Sequence, residues 1–215
     1  MNEQSAKDSL GEFVGAARAV AGHGLVVRGS GNLSCRLAED RMLITATGSS
    51  MADLSEDQVA VCRISDGARS HGADPSKEIG FHAGVFRQRP DVNAVLHFQS
   101  PCATTLACRR PQVADFGVIP EIPYYIGPVA WVPYLLPGSR ELADAVTDAL
   151  LKHDLAMLRC HGQVVVARSL GEVIDKAAYF ELACRVILGA GASLETISAE
   201  GVAELLRAKQ ASAGV

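Results

Sequence analysis

The sequence predicts a layered α/β or α+β domain rather than a regularly alternating βαβ sheet. Three observations carry this expectation. Long segments space their apolar residues with a helical period, and short apolar runs near the N-terminus are separated by turn-forming residues. Helices and strands also fail to alternate in the rhythm that a Rossmann sheet requires. At 215 residues the chain fits one domain over 1–215 with a proper core.

Residues 6–21 place Leu10, Phe13, Val14, Ala17 and Val20 at approximate helical spacing, and Gly22 and Gly24 stop that helix. Three strand-like pieces follow at 25–27, 33–36 and 42–45, separated by Gly29-Ser30-Gly31-Asn32 and by Glu39-Asp40. That pattern reads as a meander. A strand at 59–64 runs into Asp66-Gly67, a hairpin signal. A helix is expected over 77–88, then a short buried strand at 94–97 and a helix at 103–108. Residues 119–133, rich in proline and aromatics, are expected to be extended segments and turns. Ser139 is the expected cap of a helix over 139–151. Strands at 156–158 and 163–167 flank a tight turn at His161-Gly162, and helices at 170–188, capped by Ser169, and 199–209 complete the chain.

Apolar residues make up 48% and charged residues 20%, the balance of an ordinary globular protein. A net charge of -4 argues against a dedicated nucleic-acid binder, so an anionic substrate needs local positive groups. No apolar run reaches the roughly 20 residues of a membrane span, and the polar N-terminus lacks a signal-peptide core. The expectation is a cytoplasmic protein that uses neither membrane nor nucleic acid. Six cysteines, none in a CxxC pair, are expected to be free and mostly in the core.

His97 stands where a predicted buried strand leaves the core for a loop, and His161 occupies a similar edge. Glu78 opens a helix just after Ser76 and Lys77. Two imidazoles, a carboxylate and one further donor make a first shell for a divalent metal, although a lone histidine at a strand end is more often structural. Gly29-Ser30-Gly31-Asn32 and Thr47-Gly48-Ser49-Ser50 let backbone N–H groups approach an anion, and Ser76-Lys77 precedes a helix N-terminus that favours phosphate. A plain turn is the competing explanation of each.

Several motifs then occur in a telling order: Gly31-Asn32-Leu33-Ser34-Cys35-Arg36, Ile44-Thr45-Ala46-Thr47-Gly48, Pro75-Ser76-Lys77-Glu78 with His82, Arg89-Pro90-Asp91-Val92-Asn93-Ala94-Val95-Leu96-His97, and His161-Gly162. Together they resemble the class II aldolase/adducin family over about residues 5–190, closest to its fuculose-1-phosphate aldolase branch. The resemblance implies a three-layer α/β/α fold around a central, largely antiparallel sheet. It implies zinc held by three histidines, of which the first and third match His97 and His161. Glu78 matches the catalytic carboxylate, and Asn32, Thr47, Gly48 and Ser76 match the phosphate pocket. Tyr124 looks like the tyrosine that reaches a neighbouring subunit, which would make the protein an oligomer, a tetramer as in the family.

The family's His-x-His is here His97-Phe98-Gln99. Residues i and i+2 of a strand point the same way, so Gln99 keeps the direction of the missing histidine but offers an amide oxygen. That ligand is harder than imidazole, which leaves zinc as the first expectation and makes Mn, Co or Mg plausible. Gln99 could ligate, hold a metal-bound water, or mark an empty site. Lys77 stands where a serine often precedes the glutamate and either pairs with substrate phosphate or is solvated. Gly29 replaces a phosphate-binding threonine, which passes that contact to Ser30 or the backbone. The expected activity is aldol cleavage of a ketose 1-phosphate to dihydroxyacetone phosphate and an aldehyde through an enediolate. The alternatives are a dehydratase or decarboxylase on the same scaffold, or a non-catalytic adducin-like module.

Overall fold

The computed structural model describes residues 3–213, with the side chains of 8–191 and 193–211. After α1 (Glu3–Gly22) come β1 (Asn32–Ala38), β2 (Arg41–Thr45), β3 (Val59–Arg63) and β4 (Arg69–Gly72), an antiparallel meander. Then follow α2 (Ile79–Gln88), β5 (Ala94–Phe98), α3 (Pro101–Cys108) and a π-turn at Ile122–Ile126. The chain continues as β6 (Val129–Val132), α4 (Arg140–Leu150), β7 (Leu155–Leu158), β8 (Gly162–Ala167), α5 (Leu170–Ala190) and α6 (Ala199–Ala213). The eight strands form one sheet in the order β4-β3-β2-β1-β5-β8-β7-β6. Every neighbouring pair is antiparallel except β6 with β7, whose connection through α4 allows a parallel step. The expected central, largely antiparallel sheet is therefore present.

Strand alternation explains how helices cover this sheet. Leu33, Leu43, Leu96, Phe98 and Val165 belong to one apolar cluster with residues of α1, α3 and α5. Their alternates Met42, Ile44, Val95, Val164 and Val166 belong to a second cluster with residues of α2 and α4. Both helices α4 and α5 start as expected, with Ser139 and Ser169 accepting the Leu142 and Glu172 backbone N–H groups. On the second face α2 approaches α4 closely. A Cβ added at Gly84 would lie 2.3 Å from Thr147 Oγ1, and one at Gly80 would lie 2.8 Å from Ala143 Cβ.

Two expectations need correction, that of a strand at 25–27 and that of cysteines mostly in the core. Residues 25–27 form no strand: Leu25 N–H bonds Val20 O and its carbonyl receives Gln99 N–H, single bonds rather than a ladder. The run is apolar because Leu25 and Val26 are buried under α1, not because it pairs in the sheet. The segment 119–133 is made of extended segments and turns as expected, here the π-turn and the strand β6. Strand β4, wholly exposed at the sheet edge, had no apolar alternation to reveal it. Of the cysteines, Cys62 and Cys184 are buried, Cys35 and Cys102 are half-buried, and Cys108 and Cys160 are exposed; all are free.

The α2–α4 contact yields a direct prediction. Gly84→Val should lower the urea midpoint by an amount equivalent to about 1–3 kcal/mol, because the added atoms meet Thr147 in a packed interface. An unchanged midpoint would mean that the two helices can part without cost.

Candidate active site

The central strands fix the functional groups in one row. Asn32 on β1 is the register partner of His97 on β5, and His97 is in turn opposite Val164 on β8. His97 is 1% exposed, and its Nδ1–H donates to the Gln163 carbonyl at 2.8 Å. This bond selects the tautomer and leaves Nε2 bare, the usual preparation of a ligating imidazole. His161 sits in the turn between β7 and β8, after Cys160 in the left-handed region at φ 52°. Gly162 follows because the chain passes so close to β5: a Cβ there would lie 2.6 Å from Phe98 O and 3.1 Å from the His97 ring.

Glu78 closes the cluster from the start of α2. Its Oε2 lies 3.5 Å from His97 Nε2 and its Oε1 lies 3.6 Å from His161 Nε2. One ligand atom from each of these residues lies within 4.8 Å of the others. Two imidazole nitrogens and a carboxylate converging within that distance are the donor types that hold a divalent ion, so the residues present fit one. Glu78 Oε1 and His161 Nδ1 are buried without a hydrogen-bond partner, as expected of groups arranged for something other than each other. Gln99 lies beside them, with its amide nitrogen 3.5 Å from His97 Nε2, so the two-residue spacing does bring it to the cluster, and turning the amide over would present its oxygen there. The following loop is held from behind. Glu181, buried on α5, accepts the Ser100 hydroxyl at 2.6 Å and the Cys102 and Ala103 N–H groups at 2.9 Å.

The glycine-rich stretches, far apart in sequence, meet in space. A Cβ on Gly29 would touch Gly48 O at 3.3 Å, and Thr47 N–H bonds Asp74 O in the strand-like bridge that brings Pro75 beside Ala46. Ser76 N–H donates to Thr45 O, and its hydroxyl oxygen receives Glu78 N–H at 3.3 Å. Ser30 turns inward on its own loop, its Oγ receiving Val27 N–H at 3.0 Å. Lys77 is exposed, with its Cβ 3.5 Å from where a Gly138 side chain would begin. Asn32 is not simply open to a ligand: its side-chain N–H donates to Glu78 Oε2 at 2.9 Å. Tyr124 stands apart from this cluster. It lies in the π-turn against Tyr125, which borders a cavity with Ala167 and Arg168, at the opposite end of β8 from Gly162.

Sequence reasoning placed His82 only as a helix residue packed near the site. The structure buries it completely and bonds it to both Asn32 and Ser34. The signal was available: Glu78 and His82 are four apart, one helical turn, and Asn32 and Ser34 are two apart on one strand face. Glu181 left no comparable signal, because it is separated from Ser100 by 81 residues and reads as an ordinary helix glutamate.

The buried imidazoles make stability depend on pH. Desolvation, then the nearby His97, lowers the His82 pKa to about 3. Burial, then His97, lowers that of His161 to about 4, with Glu78 acting in the other direction. An unfolded histidine titrates near 6.5, so below that pH the unfolded chain binds more protons than the folded one. The contribution is present above pH 6.5 and is lost as pH falls towards 4. At pH 5 His82 alone should cost about 2 kcal/mol, read as a lower urea midpoint than at pH 7. Equal midpoints at the two values would contradict a neutral buried His82.

Comparison with known proteins agrees with the geometry. The sequence profile of the Class II Aldolase and Adducin N-terminal domain matches residues 11–188. A 3-oxo-tetronate 4-phosphate decarboxylase of Haemophilus influenzae is 34% identical over 161 residues, 74% of this chain and 76% of that one. The enzyme of the same name from Escherichia coli K12 is 30% identical over 207 residues, 94% of this chain and 96% of that one. L-fuculose phosphate aldolases match as well, at 27% identity over 172 residues for that of Methanococcus vannielii and 32% over 165 residues for that of Escherichia coli. The crystal structure of YgbL from Escherichia coli superposes with a TM-score of 0.87 at 27% identity, covering 92% of this chain and 97% of that one. The profile match spans well over half of the sequence, and the chain belongs to the class II aldolase/adducin family.

Proposed function

We propose that this chain is a metal-dependent lyase that releases CO2 from a 3-oxo sugar acid phosphate, acting as one domain in which the helix-covered sheet forms three layers. The observation that carries the reading is the buried Glu78–His97–His161 cluster, in a chain whose similarity to a 3-oxo-tetronate 4-phosphate decarboxylase runs through nearly its whole length. Aldol cleavage, the first expectation from sequence, becomes the second reading, because the decarboxylases match more strongly, at 34% identity in one case and across 94% of the chain in another.

His97 and His161 would hold the ion, with Gln99 in the third position through its amide oxygen. Zinc is the first choice, and Mn, Co or Mg become competitive because Gln99 replaces an imidazole. Such an ion would supply Lewis-acid polarisation of the substrate's carbonyl group. Cleavage of the C1–C2 bond sends its electron pair into the C2–C3 linkage, giving an enediolate as CO2 departs. Glu78, facing both imidazoles, holds the proton that carbon then takes up. An aldolase generates the same enediolate while expelling an aldehyde, so one arrangement serves both chemistries and the leaving fragment differs. Gly29, Ser30, Thr47, Gly48, Ser76 and Lys77 form the proposed phosphate cradle, supported by the contact of the 29 and 48 loops, while Asn32, bonded to Glu78 and His82, serves the carboxylate instead. Tyr124, remote from its own Glu78, would serve a neighbouring subunit of a homotetramer.

The test is CO2 release from 3-oxo-tetronate 4-phosphate with Zn, Mn, Co or Mg added, beside a panel of ketose 1-phosphates. CO2 evolution is expected, and Glu78→Gln should lower kcat by about 10²–10⁴-fold. Aldehyde release without CO2 would favour aldol cleavage, and loss of water alone a dehydratase. No turnover and no metal uptake would leave the adducin-like module. Gln99→His should tighten zinc binding in a calorimetric titration; unchanged affinity would place Gln99 away from the ion.

A further inference from the structure

We infer that His82 is a positioning residue which, acting through Asn32, aims the Glu78 carboxylate at the reacting carbon. The inference rests on the catalytic role proposed for Glu78, and it follows from a hydrogen-bond chain whose polarity can be read in one way only. Glu78 Oε2 accepts from the Asn32 side-chain nitrogen at 2.9 Å, which leaves Oε1 for the proton that Glu78 passes to carbon. The amide oxygen then faces His82 Nε2 at 2.5 Å, and because an oxygen without a proton can only accept, Nε2 carries the hydrogen. A wholly buried imidazole held neutral has one bare nitrogen, here Nδ1, which accepts the Ser34 hydroxyl at 2.7 Å. From Ser34 through His82 and Asn32 to Glu78, every donor points the same way.

The chain is rigid at each link. Ser34 and Asn32 project from the same face of β1, which is paired on both sides. The His82 ring is stacked on Phe81 with centroids 4.6 Å apart, and Phe81 stands edge-on to His97 at 6.1 Å. Turning the Asn32 amide over would set its oxygen against the carboxylate and its N–H groups against His82 Nε2–H, losing two bonds at once. Glu78 has little else to orient it: Oε1 is buried without a hydrogen-bond partner, and the residue's backbone N–H is taken by Ser76 Oγ. The direction of this carboxylate therefore depends on Asn32, and the direction of Asn32 depends on His82. His82 touches no reacting atom. Both of its nitrogens are already engaged, with Ser34 and Asn32.

The experiment uses the full chain with 15N-labelled histidine. Long-range 15N–1H spectra should show His82 protonated on Nε2 and bare on Nδ1, with the Asn32 side-chain NH2 protected from exchange. An Nδ1–H tautomer or an imidazolium at neutral pH would overturn the inference. His82→Phe keeps the ring volume but removes the donor. It should expose the Asn32 amide to exchange and lower kcat by about 10²-fold, the cost of a misdirected group, with KM and metal affinity retained. His82→Gln places an amide N–H near the position of Nε2 and should recover most of that loss. Equal losses in the Phe and Gln variants, or losses confined to KM or metal content, would make His82 merely structural. Should His82→Phe fail to fold, Ser34→Ala is the milder probe, expected to mix the His82 tautomers and lower kcat less. If the wild-type chain turns over none of the substrates, the decarboxylase reading fails, and the tautomer and amide protection still decide the positioning.

Discussion

The pairing of β1 with β5 is the constraint on which the molecule depends. Strands β1–β4 come from the first part of the chain and β5–β8 from the second, and this ladder joins them into one sheet. Both apolar clusters cross it: Leu33 with Leu96 and Phe98 on one face, Ile44 with Val95 on the other. The same ladder sets Asn32 opposite His97, and the next pairing sets His97 opposite Val164. Because strand side chains alternate with a period of two, a slip of one residue would turn His97 to the wrong face. The apolar residues that stabilise the sheet thus also keep the imidazole in position.

Two clusters of buried polar groups show how differently such groups can be used. Near the Ala167 end of the sheet, the buried Lys176 donates to Asp154 at 2.9 Å, to Glu172 at 3.1 Å and to the Val166 carbonyl. Its charge is compensated on every side, as a structural ion pair must be. At the His97 end the carboxylate and the two imidazoles face one another without direct hydrogen bonds between them. The local elements hold them there against their own preferences: the Gln163 carbonyl behind His97, the left-handed Cys160 before His161, and the Asn32–His82 chain beside Glu78. Unsatisfied polar atoms are costly in a core, and their concentration at one strand end is what the proposed site rests on.

Much of this could be read from the sequence, and the failures have physical causes. Elements with strong periodicity, such as α4 with its serine cap and the buried β5, appear as expected. Residues 25–27 misled because burial by α1 makes the same apolar run as sheet pairing does. Strand β4 escaped because both of its faces are exposed. Glu78, His97, Gln99 and His161 were identifiable through ordered motifs, and they converge. The cradle residues converge only in part, since Asn32 bonds to Glu78 and Ser30 to its own loop. Long-range supports such as Glu181 beneath Ser100 depend on tertiary approach, which no local pattern encodes.

The unpartnered faces of Glu78 and His161 also bear on how much folded protein exists under given conditions. An ion that binds only the native arrangement draws the folding equilibrium towards it by mass action, by about 2.7 kcal/mol when its free concentration is a hundredfold above its dissociation constant. His97 and Asn32 belong to the ladder that joins the two parts of the sheet, so that free energy is felt by the whole domain rather than by one loop. Were the proposed ion bound there, its supply and chelation would act on the abundance of the native chain as well as on its activity. A cell that withheld the ion would lower the population of molecules in which the site exists at all.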